Sequence, residues 1–499
     1  MRSEMSQGHD DSRHGWQPPH EQGPPDEGER DAQQPGKRRK GVLIGLLAGG
    51  GVLALLVVIA LVVVAPGGGN GKSEEKTRKK PPKAPAAAYE VAWRTPKPSQ
   101  LDAVKPVDVF VVGDTVVRVD IYSITAYDIA DGEQRWQVTI PEDRHLCAVS
   151  PRAAGGIIAY GIGTSAGSCP ELQAIDASDG TTLWGTELEP QQDESTLIKS
   201  IAVLKRKVVV ATAEGVRALD AKSGGERWRI APDNPDCQPG EVQATTKRLL
   251  GIVDCAEKET SDSADLVVSI DPDTGETNWL DKLPNKGNYA PPQIFQASPP
   301  VLMINDQRDK FKFQIVDEKD GEQLAEFRAT GDGGTLDPDE YQLGNVDKAL
   351  TINTPFVVAG DTLIGMAKVA DQESPLGSRV VLGISLETGE RLWSTDLGKI
   401  KDGRDFHGRM VFSDEPDGPA RVYITRPGSW GYTKLTTVDP ETGELAEGTY
   451  VADHPETIAS SVFLSSGKTL IEVSTTSITP YAIRAYTPKK EQQGTATPK

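Results

Sequence analysis

The sequence predicts an all-β protein, an eight-bladed β-propeller preceded by one transmembrane helix. Three observations predict it: a turn pattern that recurs along the chain, a tryptophan at a fixed distance behind most of those turns, and one long uncharged apolar segment near the N-terminus. The chain has 499 residues, and its 50 glycines and 36 prolines favour turns over helices. One array of similar units fills such a length.

The repeat consists of an apolar strand, an aspartate, three residues, a glycine, three residues and a tryptophan. Glycine adopts the positive φ of a tight turn, and the aspartate side chain bonds nearby backbone N–H groups. Each copy therefore predicts a hairpin. The copies, some of which lack one of the three marker residues, are ITAYDIADGEQRW (124–136), LQAIDASDGTTLW (172–184), VRALDAKSGGERW (216–228), VVSIDPDTGETNW (267–279), FQIVDEKDGEQLAEF (313–327), VLGISLETGERLW (381–393) and LTTVDPETGELAEGTY (435–450).

The spacing of the copies is that of propeller blades. Neighbouring aspartate positions lie 44 to 54 residues apart, except for one interval of 68, which predicts an insertion at 329–350. A second turn with glycine precedes several copies, as in VVGDTVV (111–117), VAGDTLI (358–364) and SSGKTLI (465–471). Two hairpins per repeat give about four antiparallel strands, which is one blade.

The two ends of the array are predicted to share the eighth blade. ITPYAIRAY (478–486) falls one interval after the last copy, and YEVAWRT (89–95) falls one interval before the first. The N-terminal segment would supply the outer strand and the C-terminal segment the inner strands, so that no sheet edge is left free. The propeller is placed at 89–487, with about 50 residues per blade. A seven-bladed ring is the alternative.

Six tryptophans recur at the same position of the repeat. We expect each ring to be buried between neighbouring blades, because regular recurrence favours packing over ligand stacking. These blade-docking residues are Trp93, Trp136, Trp184, Trp228, Trp279 and Trp393.

The four cysteines predict two local disulfides at equivalent blade positions, Cys147 with Cys169 and Cys237 with Cys255. Sequence alone permits three pairings. A metal site would need CxxC-type spacing, which the chain lacks, so no metal ligand is assigned. Disulfides indicate an oxidising compartment.

Residues 41–65 are predicted to form the transmembrane helix. At 1.5 Å per residue this helix is roughly 36 Å long, enough for a hydrocarbon core of about 30 Å. A cleaved signal peptide is the alternative, although its apolar region usually has about 7–15 residues. The basic run 37–40 and the disulfides place the N-terminus in the cytoplasm and the propeller on the extracytoplasmic side of the cell membrane.

The remaining segments read as tails and a linker. Residues 1–40 are expected to be a disordered cytoplasmic tail, 66–88 a Gly/Lys/Pro-rich linker and 488–499 a disordered C-terminal tail. The net charge of −19 argues against a nucleic-acid partner, since phosphate binding needs a basic surface. We interpret the excess acid as a solubility feature, with a cation or a basic partner as the alternative.

No catalytic residue is assigned. His145, His407 and His454 are the histidines beyond the N-terminal tail, and none lies in a GxSxG or HExxH motif. The segments 329–350 and 400–432, the latter with Trp430 and Tyr432, are candidate binding loops.

The repeat resembles the PQQ-like, quinoprotein-type propeller repeat with its A-x-D-x-x-x-G-x-x-x-W docking motif. ALDAKSGGERW (218–228) is the closest copy. The resemblance implies relatives of several kinds: quinoprotein alcohol dehydrogenases, a lipoprotein scaffold of outer-membrane protein assembly, and sensor domains of membrane kinases. The whole layout is similar to membrane-anchored PQQ-like proteins of high-GC Gram-positive bacteria.

The departures from that family shape the functional prediction. Quinoprotein alcohol dehydrogenases hold their cofactor against a disulfide of adjacent cysteines, and no two cysteines are adjacent here. We therefore expect a membrane-tethered, non-catalytic interaction or ligand-sensing module that binds an unknown protein, peptide or glycan on a propeller face, with no cofactor. The alternatives are a dehydrogenase that uses PQQ with calcium and an envelope-assembly scaffold.

Overall fold

The computed structural model describes residues 89–489 with gaps. The predicted tail, transmembrane segment and linker at 1–88 lie outside the described residues, as does the chain from 490 onward. Among the described residues, no helix combines the length and apolar character needed to cross a membrane. The gaps are 97–107, 142, 152, 164–168, 189–197, 205, 233–236, 246–247, 257–262, 284–291, 308–309, 329, 332–333, 336–355, 372–373, 400–408, 414–420, 428–432, 447–448, 452–460 and 475–480.

The described strands form separate antiparallel sheets, numbered here along the chain. Strand β1 is Tyr89–Pro96. Sheet 1 contains β2 (Asp108–Val112), β3 (Thr115–Asp120), β4 (Ser123–Asp128) and β5 (Gln134–Thr139). Sheet 2 contains β6 (His145–Val149), β7 (Ile157–Gly163), β8 (Glu171–Asp176) and β9 (Thr182–Glu187). Sheet 3 contains β10 (Ile198–Leu204), β11 (Lys207–Thr212), β12 (Gly215–Asp220) and β13 (Glu226–Ile230). Sheet 4 contains β14 (Cys237–Ala244), β15 (Leu249–Ala256), β16 (Ser263–Ile270) and β17 (Thr277–Lys282).

Four more sheets follow in the second half of the chain. Sheet 5 contains β18 (Gln293–Ala297), β19 (Pro300–Gln307), β20 (Lys310–Val316) and β21 (Gln323–Arg328). Sheet 6 contains β22 (Thr330–Gly331), β23 (Gly334–Thr335), β24 (Phe356–Ala359), β25 (Thr362–Asp371), β26 (Ser374–Ser385) and β27 (Arg391–Lys399). Sheet 7 contains β28 (Arg409–Ser413), β29 (Arg421–Pro427), β30 (Thr433–Val438) and β31 (Thr449–Tyr450). Sheet 8 contains β32 (Ser461–Ser466), β33 (Thr469–Ser474), β34 (Tyr481–Pro488) and β1.

The sheets are arranged as a β-propeller, the predicted fold. Strands β6, β10, β14 and β18, which begin sheets 2 to 5, contact one another in that order. Strands β24, β28 and β32, which carry the corresponding positions of sheets 6 to 8, also contact in order, and β32 contacts β2 of sheet 1. The contact between the last sheet and the first closes the row of sheets into a ring.

The predicted sharing of one sheet by the two chain ends is confirmed. The N-terminal strand β1 pairs with the C-terminal strand β34, from Tyr89 opposite Pro488 to Pro96 opposite Tyr481. This pairing fixes the N-terminal strand by main-chain hydrogen bonds, so that strand β34 presents no free edge.

The repeat turn joins the third and fourth strands of a sheet, and sheet 2 shows how it forms. The N–H of Gly180 donates to the carbonyl of Asp176 at 2.8 Å, and the Asp176 carboxylate accepts from the N–H of Ser178 at 2.8 Å. Gly180 has a φ of 74°, which a residue with a Cβ rarely adopts. We call the end of the propeller that carries these turns the turn end, and the other end the loop end.

Each tryptophan of the repeat lies against the turn of the next sheet. The Trp136 indole donates to the carbonyl of Ala177 at 3.1 Å, and its ring covers Gly180 so closely that a Cβ there would be 2.7 Å from the ring. The turn glycine is therefore required by the neighbouring ring as well as by φ. The other rings donate in the same way, Trp93 to Ile129, Trp184 to Ala221, Trp228 to Pro272, Trp279 to Glu318 and Trp393 to Pro440.

The interface between sheets 5 and 6 is filled differently, because Ala325 occupies the tryptophan position. A Cβ on Gly389 of sheet 6 would meet the Ala325 methyl at 3.2 Å. Phenylalanines of sheet 5 supply the missing volume: the rings of Phe313 and Phe327 stack at 5.1 Å, and Phe295 meets Phe313 edge-on at 5.9 Å. The volume lost at the repeat position is thus restored by phenylalanines of β18, β20 and β21.

Both predicted disulfides are present, Cys147–Cys169 and Cys237–Cys255, but the prediction that they occupy equivalent positions is wrong. Cys237 and Cys255 are direct partners on β14 and β15. The other bridge joins β6 to the residue before Pro170 and crosses β7, where Gly161 leaves room for it. A Cβ on Gly161 would be 2.6 Å from the Cys169 sulfur.

Each disulfide closes a short loop, so we expect similar contributions to stability. Replacing either pair by serines should lower the free energy of unfolding by about 3 kcal/mol, through the greater entropy of the unfolded chain. Urea unfolding of the two double variants and of the oxidised parent measures this. A loss below about 1 kcal/mol in both variants would contradict the expectation.

Candidate functional site between sheets 1 and 2

Sheets 1 and 2 pack through a mainly apolar layer that ends in polar groups at the loop end. The layer includes Phe110 and Val117 from sheet 1 with Leu146, Tyr160 and Ile175 from sheet 2. Apolar side chains of both sheets interlock there, as in the interior of any packed domain. The polar groups at the loop end of this layer are therefore exceptions to its apolar character.

Asp108 is the first of these exceptions. It is the first residue of β2, and its side chain is 1% exposed. It lies opposite Val119 and two residues before Phe110, so its side chain shares their side of the sheet and faces sheet 2. Oδ1 accepts from the N–H of Val109 at 2.7 Å, whereas Oδ2 has no partner among the described residues. Burial raises the pKa of Asp108 well above its usual value, which favours the neutral acid.

A chain of polar side chains approaches from sheet 2. The Tyr160 hydroxyl donates to Oε1 of Gln173 at 2.7 Å, and the Gln173 amide donates to the Glu171 carboxylate. Glu171 also pairs with the guanidinium of Arg144. Burial, followed by the charge of Glu171, raises the pKa of Tyr160 to about 12, so this hydroxyl keeps its proton.

Arg144 leaves a second buried atom without a partner. It lies in the connection from β5 to β6, and its Nε is buried and makes no hydrogen bond among the described residues. Hydrogen bonds to sheet 1 hold that connection in place: Ile140 N–H donates to the Tyr122 carbonyl and Leu146 N–H to the Ile121 carbonyl, both at 2.8 Å. The backbone on both sides of Arg144 is therefore fixed.

Four of these residues form one chain of contacts, which we call the loop-end cluster: Arg144, Glu171, Gln173 and Tyr160. Asp108 and Glu171 each begin a strand at the loop end, and Arg144 lies in the connection that enters sheet 2 there. The guanidinium Nε of Arg144 in this cluster and the carboxyl Oδ2 of Asp108 in sheet 1 are both buried without a hydrogen-bond partner among the described residues. Leaving such atoms unpaired costs about 1–3 kcal/mol each, so an incoming group that pairs with either atom would gain that energy.

The state of Asp108 predicts a pH dependence. Its folded pKa lies above the usual 3.8, so the folded chain binds a proton that the unfolded chain releases. The stability of the parent relative to Asp108→Asn should therefore fall as pH rises from about 4 toward its folded pKa. Urea unfolding of both proteins across this range measures the difference. If the parent instead gains stability relative to Asp108→Asn as pH rises, the raised pKa is contradicted.

Two further groups of buried polar side chains hold the closing sheet, sheet 8, in place. Arg118 on β3 pairs with Asp120 at 2.9 Å and donates across to sheet 8, to the carbonyls of Ser474 at 3.3 Å and Ala482 at 3.2 Å. Burial raises the pKa of Asp120 in spite of this guanidinium. Because Ser474 lies on β33 and Ala482 on β34, Arg118 fastens sheet 1 to two strands of the closing sheet.

The second group lies within sheet 8. Glu472 on β33 is fully buried, and its carboxylate accepts from Tyr481 at 3.1 Å, Tyr486 at 2.7 Å and Arg484 at 2.8 Å. The Arg484 guanidinium lies 4.2 Å from the centre of the Tyr481 ring. Burial, followed by the charge of Glu472, raises the pKa of the Tyr486 hydroxyl. Strand β34 is thus tied to β33 by charged side chains as well as by the backbone.

The residues singled out from the sequence do not converge on one site. The tryptophans lie at the inter-sheet joints and the cysteines within sheets 2 and 4, and His145 begins β6. Trp430, Tyr432, His407 and His454 lie outside the described residues, as does most of the proposed loop 329–350. The sequence analysis missed the loop-end cluster. The available signal was an acidic residue within an apolar run, as in VDVFVV (107–112).

A comparison with protein families agrees with this architecture. The family model described as outer membrane protein assembly factor BamB, of the PQQ_2 type, matches residues 90–250 and again 213–426, more than half of the chain. The chain belongs to this BamB-like family. Its PQQ-like repeat is therefore shown, as the resemblance of the sequence implied. A comparison with curated proteins finds no match.

Solved structures similar to this BamB-like chain are more distant. A quinohemoprotein alcohol dehydrogenase from Pseudomonas putida HK5 is 15% identical with a TM-score of 0.48, over 83% of this chain and 78% of that one. A europium-containing methanol dehydrogenase is 13% identical with a TM-score of 0.45, over 77% and 84%. A quinohemoprotein alcohol dehydrogenase from Comamonas testosteroni is 12% identical with a TM-score of 0.44, over 81% and 78%. These likenesses are too remote to carry a function.

The disulfides of this BamB-like chain differ from the one that the quinoprotein resemblance implies. Its disulfides join cysteines 22 and 18 residues apart, so neither supplies the adjacent pair that the quinoprotein resemblance implies. Within the described ranges, no three histidine, cysteine or acidic side chains come together in a metal-binding arrangement. The charged cluster that the described residues do form contains an arginine paired to a glutamate, which suits hydrogen bonding to a ligand.

Proposed function

We propose that this chain is a non-catalytic binding propeller, an interaction or ligand-sensing module. One observation carries the proposal: Asp108 Oδ2 and Arg144 Nε, in segments that both lie at the loop end, are buried without a hydrogen-bond partner among the described residues. The arginine of the loop-end cluster is neutralised by Glu171, and its tyrosine keeps its proton, so the cluster offers hydrogen bonds and no activated nucleophile. The ligand is an unknown protein, peptide or glycan on the loop-end face.

The proposal includes an eight-bladed ring. Each of the eight sheets supplies one blade, and the tryptophan joints run from one sheet to the next along the chain. In a seven-bladed ring one sheet would lie outside the circle. The contact of β32 with β2 supports the eight-bladed arrangement, because it joins the eighth sheet directly to the first.

The proposal also places the propeller outside a membrane. The uncharged segment 41–65 would anchor the chain, and two disulfides would suit an oxidising compartment. Alkylation of intact cells with a membrane-impermeant maleimide, before and after reduction, tests this. Labelling only after external reduction supports the placement, and labelling only after lysis contradicts it.

Turnover by the full chain tests the non-catalytic proposal. The protein, purified in detergent, is mixed with PQQ, calcium, a primary alcohol and a dye that accepts electrons. We expect no dye reduction above the rate without protein, with an authentic quinoprotein dehydrogenase as the positive control. Sustained, alcohol-dependent dye reduction would replace this proposal with the second candidate, a PQQ-dependent dehydrogenase. Family membership keeps an envelope-assembly scaffold as a further candidate.

A further inference from the structure

We propose that the Cys147–Cys169 bridge is a redox-sensitive clamp on the loop-end cluster, opened by a reductant of the dithiol class. The bridge and the Arg144–Glu171 ion pair join the same two segments of sheet 2, because Arg144 lies three residues before Cys147 and Glu171 two residues after Cys169. This inference rests on the proposed binding function and names the regulation of that site.

A bulge in β6 positions the first cysteine of the bridge. Leu146 lies opposite Ile162 and Ala148 opposite Gly161, so Cys147 is the extra residue between two ladder positions. A bulged residue has no ladder partner of its own, and the bulge redirects its side chain. The bridge then crosses β7 at Gly161, where a Cβ would lie 3.3 Å from the Cys147 sulfur and 2.6 Å from that of Cys169.

The second cysteine lies just outside the strand that carries Glu171. Pairing of β7 with β8 ends at Ile162 opposite Glu171, and the Leu188 N–H donates to the Pro170 carbonyl at 2.7 Å. Among the described residues, these backbone bonds reach Pro170, and the bridge extends the restraint one residue further, to Cys169. The bridge therefore ties the start of β8 to β6 across the strand that separates them.

The second disulfide differs in this respect and serves as the internal control. Cys237 lies directly opposite Cys255, the next pair of the ladder is Gln238 with Asp254, and Cys255 also lies opposite Ala264 of β16. Backbone hydrogen bonds hold these strands together whether or not the sulfurs are joined. Opening this bridge should therefore leave the local structure of sheet 4 in place.

Exposure selects the first bridge for reduction. Cys147 is partly exposed, whereas Cys169, Cys237 and Cys255 are 1%, 5% and 8% exposed. Thiol–disulfide exchange needs access to the sulfur that is attacked. Cys147 offers that access, and both sulfur-bearing residues of the other bridge are buried.

The exchange has two steps. A thiolate of the dithiol attacks the Cys147 sulfur, the S–S bond breaks, and Cys169 leaves as a thiolate that takes a proton from water. The second thiolate of the reductant then attacks the mixed disulfide, and Cys147 leaves and is protonated in turn. The reductant becomes a disulfide, and two electrons pass to the two cysteines of the protein.

Opening the bridge should loosen the cluster. The Arg144 and Glu171 side chains are partly exposed, and an ion pair in contact with water contributes little on its own to holding two segments together. Glu171 accepts from the Gln173 amide, which in turn accepts from Tyr160, so movement of Glu171 disturbs the whole chain of contacts. The oxidised protein therefore holds the cluster ordered, and the reduced protein lets it open.

Graded reduction of the full chain in detergent tests the selectivity. Dithiothreitol is the reductant, free thiols are trapped with N-ethylmaleimide at intervals, and mass spectrometry of peptides assigns each label. We expect Cys147 and Cys169 to be labelled at least about tenfold faster than Cys237 and Cys255. Equal rates, or the reverse order, would overturn the assignment of the sensitive bridge.

Hydrogen exchange of the same samples tests the clamp. Once the first bridge is open, slowly exchanging amides of 144–149 and 169–176 should exchange at least about tenfold faster, with little change at 237–256. The double variant Cys147→Ser with Cys169→Ser should show this faster exchange without reductant. The matched control, Cys237→Ser with Cys255→Ser, should keep the parent's rates at the loop-end cluster until reductant is added. Circular dichroism melts confirm that both variants are folded.

Two results of the exchange experiment would overturn the inference. Unchanged exchange at 144–149 and 169–176 after reduction would mean that the bridge does not restrain the cluster. An equal rise in all eight sheets would mean that the bridge only stabilises the fold as a whole. Neither result touches the non-catalytic proposal, which fails separately on alcohol-dependent dye reduction.

Discussion

Gly180→Ala is expected to lower the free energy of unfolding by about 2–5 kcal/mol. A φ of 74° costs an alanine about 1–2 kcal/mol. The added Cβ would also lie 2.7 Å from the Trp136 ring of the preceding sheet, and forcing atoms into a packed interface costs about 1–3 kcal/mol more. Urea unfolding followed by tryptophan fluorescence measures the loss and reports on the ring itself.

Gly113→Ala is the matched control for this substitution. Gly113 has a φ of 59° in the turn between β2 and β3, and no atom lies within 4 Å of its missing Cβ. Its replacement should therefore show only the backbone cost of about 1–2 kcal/mol. Equal losses for the two variants would mean that the tryptophan does not restrict the turn, contrary to the packing described here.

Glu472→Gln is expected to cost about 3–5 kcal/mol, because it leaves the Arg484 cation buried without its counter-charge. The double variant Glu472→Leu with Arg484→Met should recover only part of that loss, since apolar residues replace a buried ion pair with little penalty but leave the Tyr481 and Tyr486 hydroxyls without their acceptor. The free energy of unfolding of the parent, the single variant and the double variant forms the test.

An exposed ion pair supplies the comparison for Glu472. Glu226 and Arg229 pair at 2.8 Å with their side chains 42% and 45% exposed. Water and salt screen such a pair, so Glu226→Gln should change the stability by less than about 1 kcal/mol. Similar effects of Glu226→Gln and Glu472→Gln would contradict the idea that charged side chains fasten the closing sheet.

The architecture could be predicted because short sequence patterns specify its turns and strands, and these patterns recur at regular intervals along the chain. The aspartate and glycine of each repeat specify a turn, and the tryptophan at a fixed offset identifies the strand that leaves it. The positions of Trp93 and of ITPYAIRAY (478–486), each one interval beyond the array, indicated that the N-terminal strand completes the sheet of the C-terminal strands. The two disulfide pairings followed from proximity along the chain.

The loop-end cluster could not be predicted in that way. Arg144, Glu171, Gln173 and Tyr160 come together from a connection and two strands of sheet 2, and which side chains come together depends on strand register and sheet packing. In the sequence, Asp108 is only a charged residue before an apolar strand. The crossing of β7 by the Cys147–Cys169 bridge was missed for a similar reason, because the space comes from Gly161, whose role appears only when three strands are aligned.

Calorimetric titration of PQQ with calcium into the full chain tests the central claim, that this propeller binds without a redox cofactor. A cooperative melt of the same sample shows that it is folded, and an authentic quinoprotein provides the positive control. The account predicts no saturable heat. Saturable binding at micromolar concentration, near one PQQ per chain, would contradict it.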